Sequence, residues 1–326
     1  MKRIIIFSFL LFCLNSFSQE TYKRSLVLMG CDFTITVTAN SKEVGDIYIQ
    51  EAINEIIRIE KLISSWDVNS QTSLVNKNAG IKPVKVDSEL IALIERSIAI
   101  AKFTDGAFDI SFASMDKIWK FDGSVTEMPS EEIIKESVAK VGYENIILNK
   151  QNSTIFLTNK GMKIGFGGIG KGYAADKAKA LLISKGVKGG IINASGDLTT
   201  WGKQPSGDAW QVGIKNPLNK DKIFAWFPVE NRAVVTSGNY EKFVMINGKR
   251  YTHIINPKTG YPSHGVLSVS VFAPKAELAD ALATSIFVMG NEKGLHFINQ
   301  IATVDCIIVT DNGKIHYSNN IKNEVE

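Results

Sequence analysis

Residues 161–176 read GMKIGFGGIGKGYAAD, and this run constrains the chain more than any other stretch. Gly165, Gly167, Gly168, Gly170 and Gly172 cluster around Lys171. They join an apolar, strand-like run, Met162–Phe166, to a helix-like run, Lys171–Ser184. Glycine lets main-chain N–H groups approach an anion closely. A helix start adds unpaired donors and partial positive charge, and Lys171 adds a full one. The physical reading is a phosphate cradle.

The run fits more than one pattern. Gly165-Phe-Gly167-Gly-Ile-Gly170 satisfies the dinucleotide motif G-x-G-x-x-G, and Gly165-x4-Gly170-Lys171 satisfies a P-loop up to its last position. There Gly172 replaces the Ser or Thr that would hold Mg²⁺. A Rossmann unit needs an acid about 20 residues on, and Asp197, after the predicted strand Gly190–Ala194, comes somewhat late. A glycine-rich turn packing a strand on a helix is the third reading.

Lys2-Arg3, an apolar run Ile4–Leu14 and Ser16-Phe-Ser18 make a secretory leader over residues 1–18, with 19–326 as the working chain. The run is too short to span a membrane. Cys13 follows Phe12 where a lipoprotein signal wants a small residue, so lipid anchoring is not expected. The net charge of +4 includes two leader residues, and nothing suggests a nucleic-acid face. Cys31 and Cys306 remain after the leader and are expected to be unpaired. No Cys/His spacing suggests zinc.

The periodicity predicts a strand over Ser25–Ala39 and helices over Ile47–Ile63, from Asp87-Ser88 to Phe103, and from Pro129-Ser130 to near Gly142. A hairpin is expected from Asn145–Leu148 and Thr154–Thr158. Strands follow over Gly190–Ala194, Trp210–Ile214, Ile223–Val229, Ala233–Ser237, Phe243–Ile246 and Leu267–Ala273. Helices over Ala276–Met289 and Asn291–Ile298 precede a hairpin from Val304 to Tyr317. Strands in runs with short turns argue an α+β fold with mostly antiparallel sheets, against a doubly wound one.

Several constellations carry chemistry. Asp280 and Thr284 are four apart on a predicted helix and share a face. With nearby carbonyls they make a hard, oxygen-only set suited to Mg²⁺ or Ca²⁺; an acid interacting with its own helix terminus is the alternative. His253 ends a strand before the turn Asn256-Pro257, a place and a side chain suited to general base work, although a lone histidine is more often structural. Thr104-Asp105-Gly106-Ala107-Phe108-Asp109 sets two acids beside a glycine turn, to hold a polar ring edge or cap the turn. Trp66 offers a stacking face or a core side chain.

Together these segments resemble the ApbE family of FAD:protein FMN transferases, in order and over nearly all of residues 19–326. The resemblance rests on Met29-Gly30, Ser65-Trp66-Asp67, Thr104–Asp109, Gly167–Asp176, Ser237-Gly238 with Tyr240, His253–Gly260 and Ala279–Thr284. The chain departs from the family pattern at Cys31 (usually Thr), Gly165 (usually a flavin-contacting Asp), Ser195 (usually Gly) and Asn256 (usually Asp).

The resemblance implies a two-lobed, T-fold-type α+β architecture with a flavin cleft between the lobes. It implies flavin contacts from Met29, Trp66, Ala107, Phe108, Asp109, Lys171 and Ile254. It implies Mg²⁺ ligands from the Gly168 and Ala283 carbonyls, Asp280 and Thr284. FAD would be the substrate and a Thr or Ser hydroxyl of an exported or membrane-attached protein the acceptor, with AMP released and His253 as base. Any membrane contact would be peripheral, through that acceptor, in the periplasm or on the outer face of the inner membrane. An FAD pyrophosphatase giving FMN and AMP, or an exported flavin-binding protein without turnover, are the other expectations.

Overall fold

The computed structural model describes residues 19–115, 118, 119, 121, 127–238, 243–246 and 249–321, the side chains of 220, 221 and 249 aside. The expected leader, Cys13 and Tyr240 lie outside the described residues.

The expected single strand over Ser25–Ala39 is a hairpin, β1 (Glu20–Leu28) and β2 (Cys31–Ala39). Alternation runs on through both strands, which hides the break. The break is Met29-Gly30, whose φ angles of 51° and 72° suit a tight two-residue turn. Helix α1 (Lys42–Ile63) follows, capped by the Ser41 hydroxyl. Next come α2 (Gln71–Lys77), β3 (Val84–Lys85) and α3 (Ser88–Phe103), the last capped by Asp87 as the sequence predicts. A 3-10 turn, Ile110–Ser114, precedes α4 (Glu131–Val138), which stops short of Gly142. Strands β4 (Ile146–Asn149) and β5 (Thr154–Leu157) form the expected hairpin.

Helix α5 (Gly170–Ser184) follows the glycine run. Strands β6 (Gly190–Ala194), β7 (Asp197–Trp201), β8 (Trp210–Asn216), β9 (Asn219–Val229), β10 (Ala233–Gly238), β11 (Phe243–Ile246), β12 (Lys249–Thr252) and β13 (Val266–Ala273) come next. Helices α6 (Ala276–Met289) and α7 (Asn291–Ile298) lead to β14 (Asp305–Thr310) and β15 (Ile315–Tyr317).

The main sheet has eight strands in the order β1-β2-β6-β7-β10-β13-β14-β15. Every strand pair among the described residues is antiparallel. That is the α+β arrangement, and it removes the Rossmann reading of the glycine run.

The period-2 geometry of strands explains the layering. On β10, β13 and β14, Val235, Val271, Cys306 and Ile308 join the large core shared with α1, α5 and α6. Their neighbours Val234, Phe272 and Ile307 face the other way, into a second cluster with Val212, Ile214 and Val229 of the β8–β9 hairpin. Both faces of the central sheet are therefore covered, and every residue of β13 is buried. A third cluster joins Met115, Trp119, Ile134, Val244 and Ile246. Cys306 is buried and Cys31 half-buried; both are free thiols, as expected.

Met162–Phe166 is not a strand. Its hydrogen bonds come from side chains instead. Asn76 accepts from the Ile164 amide (2.8 Å) and donates to the Ile164 carbonyl (2.9 Å). The Ser114 hydroxyl does the same for Lys163, at 2.8 Å each way. The Gly165 amide reaches the Ile110 carbonyl at 2.9 Å. Buried main-chain groups must be paired, and here two side chains stand in for a neighbouring strand.

Candidate active site

The held segment delivers the glycine run to the wall of a cavity of about 960 Å³. Gly165, Gly167, Gly168 and Lys171 line it. So do the start of β2, the β6–β7 turn, β8, the end of β10, His253, Ile254, Ile255 and Pro257, and Asp280 and Thr284 of α6. Antiparallel pairing brings these distant motifs to one place.

The glycine run turns at Phe166, whose carbonyl accepts from the Gly170 amide at 2.7 Å. The Gly167 and Gly168 amides make no hydrogen bond among the described residues, which leaves two donors at the cavity wall. A Cβ on Gly167 would meet nothing within 4 Å, whereas one on Gly168 would stand 2.9 Å from the Thr284 hydroxyl. Gly168 is thus the close-approach position.

Lys171 is not a loose arm. Its ammonium pairs with Asp197, which is 2 % exposed. Burial works against its charge, but Asp197, and then Asp280, hold it well above the ordinary lysine range. Asp280 is also buried and accepts from the Gly172 amide at 3.2 Å. Burial first, and then Asp197, push its carboxyl up to about 8, against the pull of Lys171 and that amide.

Two buried carboxyls therefore face one ammonium. A hard cation would balance them, and oxygen donors for one lie on the same wall: Asp280, the Thr284 hydroxyl, and the main chain at Gly168, where no side chain intervenes. Among the described residues, no three His, Cys, Asp or Glu side chains gather, so a softer, multi-ligand site is not built here. The residues present fit Mg²⁺. Ala283 is fully buried and is not on the cavity wall.

The other expected contacts divide. Ala107, Phe108, Asp109, His253 and Ile254 line the cavity. His253 is exposed at its edge, with the Phe121 ring edge-on at 6.5 Å. Asp109 is more occupied than expected. Its Oδ1 accepts from the Ser111 amide (2.7 Å) and hydroxyl (2.6 Å), and its Oδ2 from the Tyr143 amide (2.9 Å). Burial raises its carboxyl and these bonds oppose the rise. Its first job is to pin the turn before β4.

Met29 stands behind the wall rather than on it. Its methyl points toward Gly170 and its amide donates to Glu60 at 3.3 Å. Trp66 is no core residue: it is 81 % exposed and lines an adjoining cavity of about 370 Å³, which shares Phe112, Ala113 and Ile255 with the first.

Sequence reasoning missed Asp197 as a site residue, although an acid after Ser195-Gly196 was visible. The Ser195 and Gly196 φ angles are 53° and 102°. The Ser195 amide and hydroxyl both donate to the Asp32 carbonyl, at 2.8 and 3.1 Å, which holds a non-glycine residue in that conformation.

The sequence pattern of the ApbE family matches residues 29–308. The chain belongs to the ApbE family. The FAD:protein FMN transferase of Treponema pallidum (strain Nichols) is 32 % identical over 322 residues, covering 93 % of this chain and 88 % of that one. That of Klebsiella pneumoniae (strain 342) is 30 % identical, covering 91 % and 92 %. The crystal structure of the ApbE protein from Thermotoga maritima superposes with a TM-score of 0.84 at 31 % identity, covering 93 % of this chain and 98 % of that one. The apo flavinyl transferase ApbE of Pseudomonas stutzeri shares the fold, with a TM-score of 0.83 at 22 % identity and coverage of 95 % and 98 %.

Proposed function

We propose that this ApbE-family chain is an FAD:protein FMN transferase. In this reading it uses Mg²⁺ to move FMN from FAD to a Thr or Ser hydroxyl of an acceptor protein, with AMP as the other product. One observation carries the reading. A glycine-rich helix start, a lysine and an oxygen-only acidic site meet in one cavity that also holds a histidine at its edge. Those are the parts needed to cleave a pyrophosphate.

The Gly167 and Gly168 amides and the start of α5 hold phosphate oxygens. Lys171, fixed by Asp197, supplies positive charge to the same place and stabilises the charge that grows on the phosphoryl oxygens. Asp280, Thr284 and the Gly168 carbonyl would hold Mg²⁺, which would supply positive charge against the negative charge that develops in phosphoryl transfer. Phe108, Ala107 and Ile254 pack the flavin side, and Trp66 in the adjoining cavity offers a stacking face.

His253 takes the proton of the acceptor hydroxyl. The hydroxyl oxygen bonds to the FMN-side phosphorus. The bond from that phosphorus to the bridging oxygen breaks, and AMP leaves with the electron pair. The leader-like residues 1–18 support work outside the cytoplasm, on exported or membrane-attached acceptors in the periplasm or at the outer face of the inner membrane.

The test incubates the chain with FAD, Mg²⁺ and candidate exported acceptors. The expected result is a fluorescent covalent flavin band on the acceptor and one AMP per flavin attached, both lost with EDTA or in Asp280→Ala. AMP with free FMN and no band would make the chain a pyrophosphatase. FAD binding without AMP would make it a flavin-binding protein.

A further inference from the structure

Helix α6 carries both side chains proposed above to hold the metal, Asp280 and Thr284, yet the side chain of its own N-cap residue, Lys275, makes no capping hydrogen bond. An N-terminal turn has orphan amides that need acceptors. The acceptor here comes from another helix. Asp176 of α5 reaches across, and its Oδ2 accepts from the Glu277 amide at 2.9 Å. Glu277 is the second residue of α6, the position a conventional N-cap side chain serves. A carboxylate there also suits the positive end of the helix.

The same contact is tight at the backbone. A Cβ on Gly172 would stand 2.2 Å from the Ala276 carbonyl oxygen, so the first turns of α5 and α6 touch main chain to main chain. The Gly172 amide, from that same turn of α5, donates to Asp280. Arg96 of α3 closes the outside, its Nε 2.6 Å from Glu277 Oε1.

We infer that Asp176 is a positioning residue: by capping α6 from α5, it sets the Asp280 and Thr284 oxygens against the glycine-rich loop that begins α5. The sequence places Asp176 at the end of the glycine motif, four residues beyond Gly172, so loop, cap and carboxylate orienter are one continuous segment. The inference rests on the metal site proposed above. It assigns Asp176 no contact with metal or substrate.

The test reads metal binding directly, with Mn²⁺ as the probe and electron paramagnetic resonance of the free ion as the signal. Asp176→Ala is expected to weaken Mn²⁺ about 10–100-fold, as loss of an orienting group does. Asp176→Asn keeps an amide acceptor and is expected to stay within about threefold of the wild type, since Asn caps as well as Asp. Asp87→Ala removes the cap of α3, away from the cavity, and controls for general destabilisation; its Mn²⁺ affinity should match the wild type. Should Asp176→Ala fail to fold, Asp176→Thr, a weaker cap, replaces it with the same expected direction.

Equal Mn²⁺ affinity in Asp176→Ala and the wild type overturns the inference. So does an equal loss in Asp176→Asn and Asp176→Ala, because charge rather than capping would then be responsible. A wild-type chain that binds no Mn²⁺ overturns the metal reading itself and this inference with it.

Discussion

Lys171, in the first turn of α5, closes its ammonium on the buried carboxylate of Asp197 at the head of β7. The pair ties the glycine-rich loop to the central sheet and fixes a positive charge at the cavity wall. Breaking it from either side leaves a charge without its partner. Lys171→Met and Asp197→Asn should therefore each destabilise the fold, and the double variant should lose less than the sum. A coupling of about 0.5–3 kcal/mol is expected from denaturant unfolding of the four proteins. Additive losses would mean that the two groups do not hold one another.

His253 sits exposed at the edge of the same cavity. Its proposed role is proton removal, not flavin binding. His253→Ala should cut covalent flavin transfer by roughly 10²–10⁴ and leave the FAD dissociation constant nearly unchanged. Transfer at the wild-type rate would return His253 to a structural role. Asp109 would be a poor substitute base, because both its oxygens are already engaged.

Two glycines of one motif should answer differently to the same change. Gly167→Ala places a methyl in open space at a backbone conformation any residue accepts, so its melting temperature should stay near the wild type. Gly172→Ala drives a methyl into the Ala276 carbonyl, and the two helices must separate. Overpacking of this kind costs about 1–3 kcal/mol. Thermal melts of the two variants decide it; equal melting temperatures would refute the backbone contact.

Glu89 gives the fold a defined acid limit. Arg58 approaches it at 2.7 Å, the Tyr173 hydroxyl at 2.6 Å and Lys177 at 2.9 Å. Burial raises the Glu89 carboxyl, but these partners outweigh burial and hold it at about 2. An unfolded glutamate titrates near about 4.3. The folded value is the lower one, so its stabilisation is complete above the unfolded pKa and disappears as pH falls through the folded one. Glu89→Gln should lose about 1–2 kcal/mol at neutral pH, after allowing for solvent screening of a partly exposed cluster. The gap to the wild type should close between about pH 5 and pH 2. A gap independent of pH in denaturant melts would rule the cluster out as the cause.

The helices were legible where local chemistry is complete. Asp87 announces α3, and the apolar spacing of Ala276–Met289 gives α6 to the residue. Asp280 and Thr284 could be placed on one face for the same reason. The misreadings arise where the deciding partner is remote. Met162–Phe166 has a strand's composition, but its hydrogen bonds come from Asn76 and Ser114, 88 and 49 positions from their partners. Strand β7 is short and rich in threonine, and nothing local marks it as fully buried. The Lys171–Asp197 pair joins two residues 26 apart through a turn that only the folded sheet defines. Trp66 reads by type as either a stacking face or a core residue, and only the fold shows it facing solvent beside a second cavity.

The side-chain ladder beneath the glycine run has a consequence for engineering. The loop's shape is stored partly outside its own sequence, in an amide on α2 and a hydroxyl near residue 114. Grafting GFGGIGKG alone onto another scaffold would carry the glycines but not the two anchors that aim them. The portable unit is the motif together with Asn76 and Ser114.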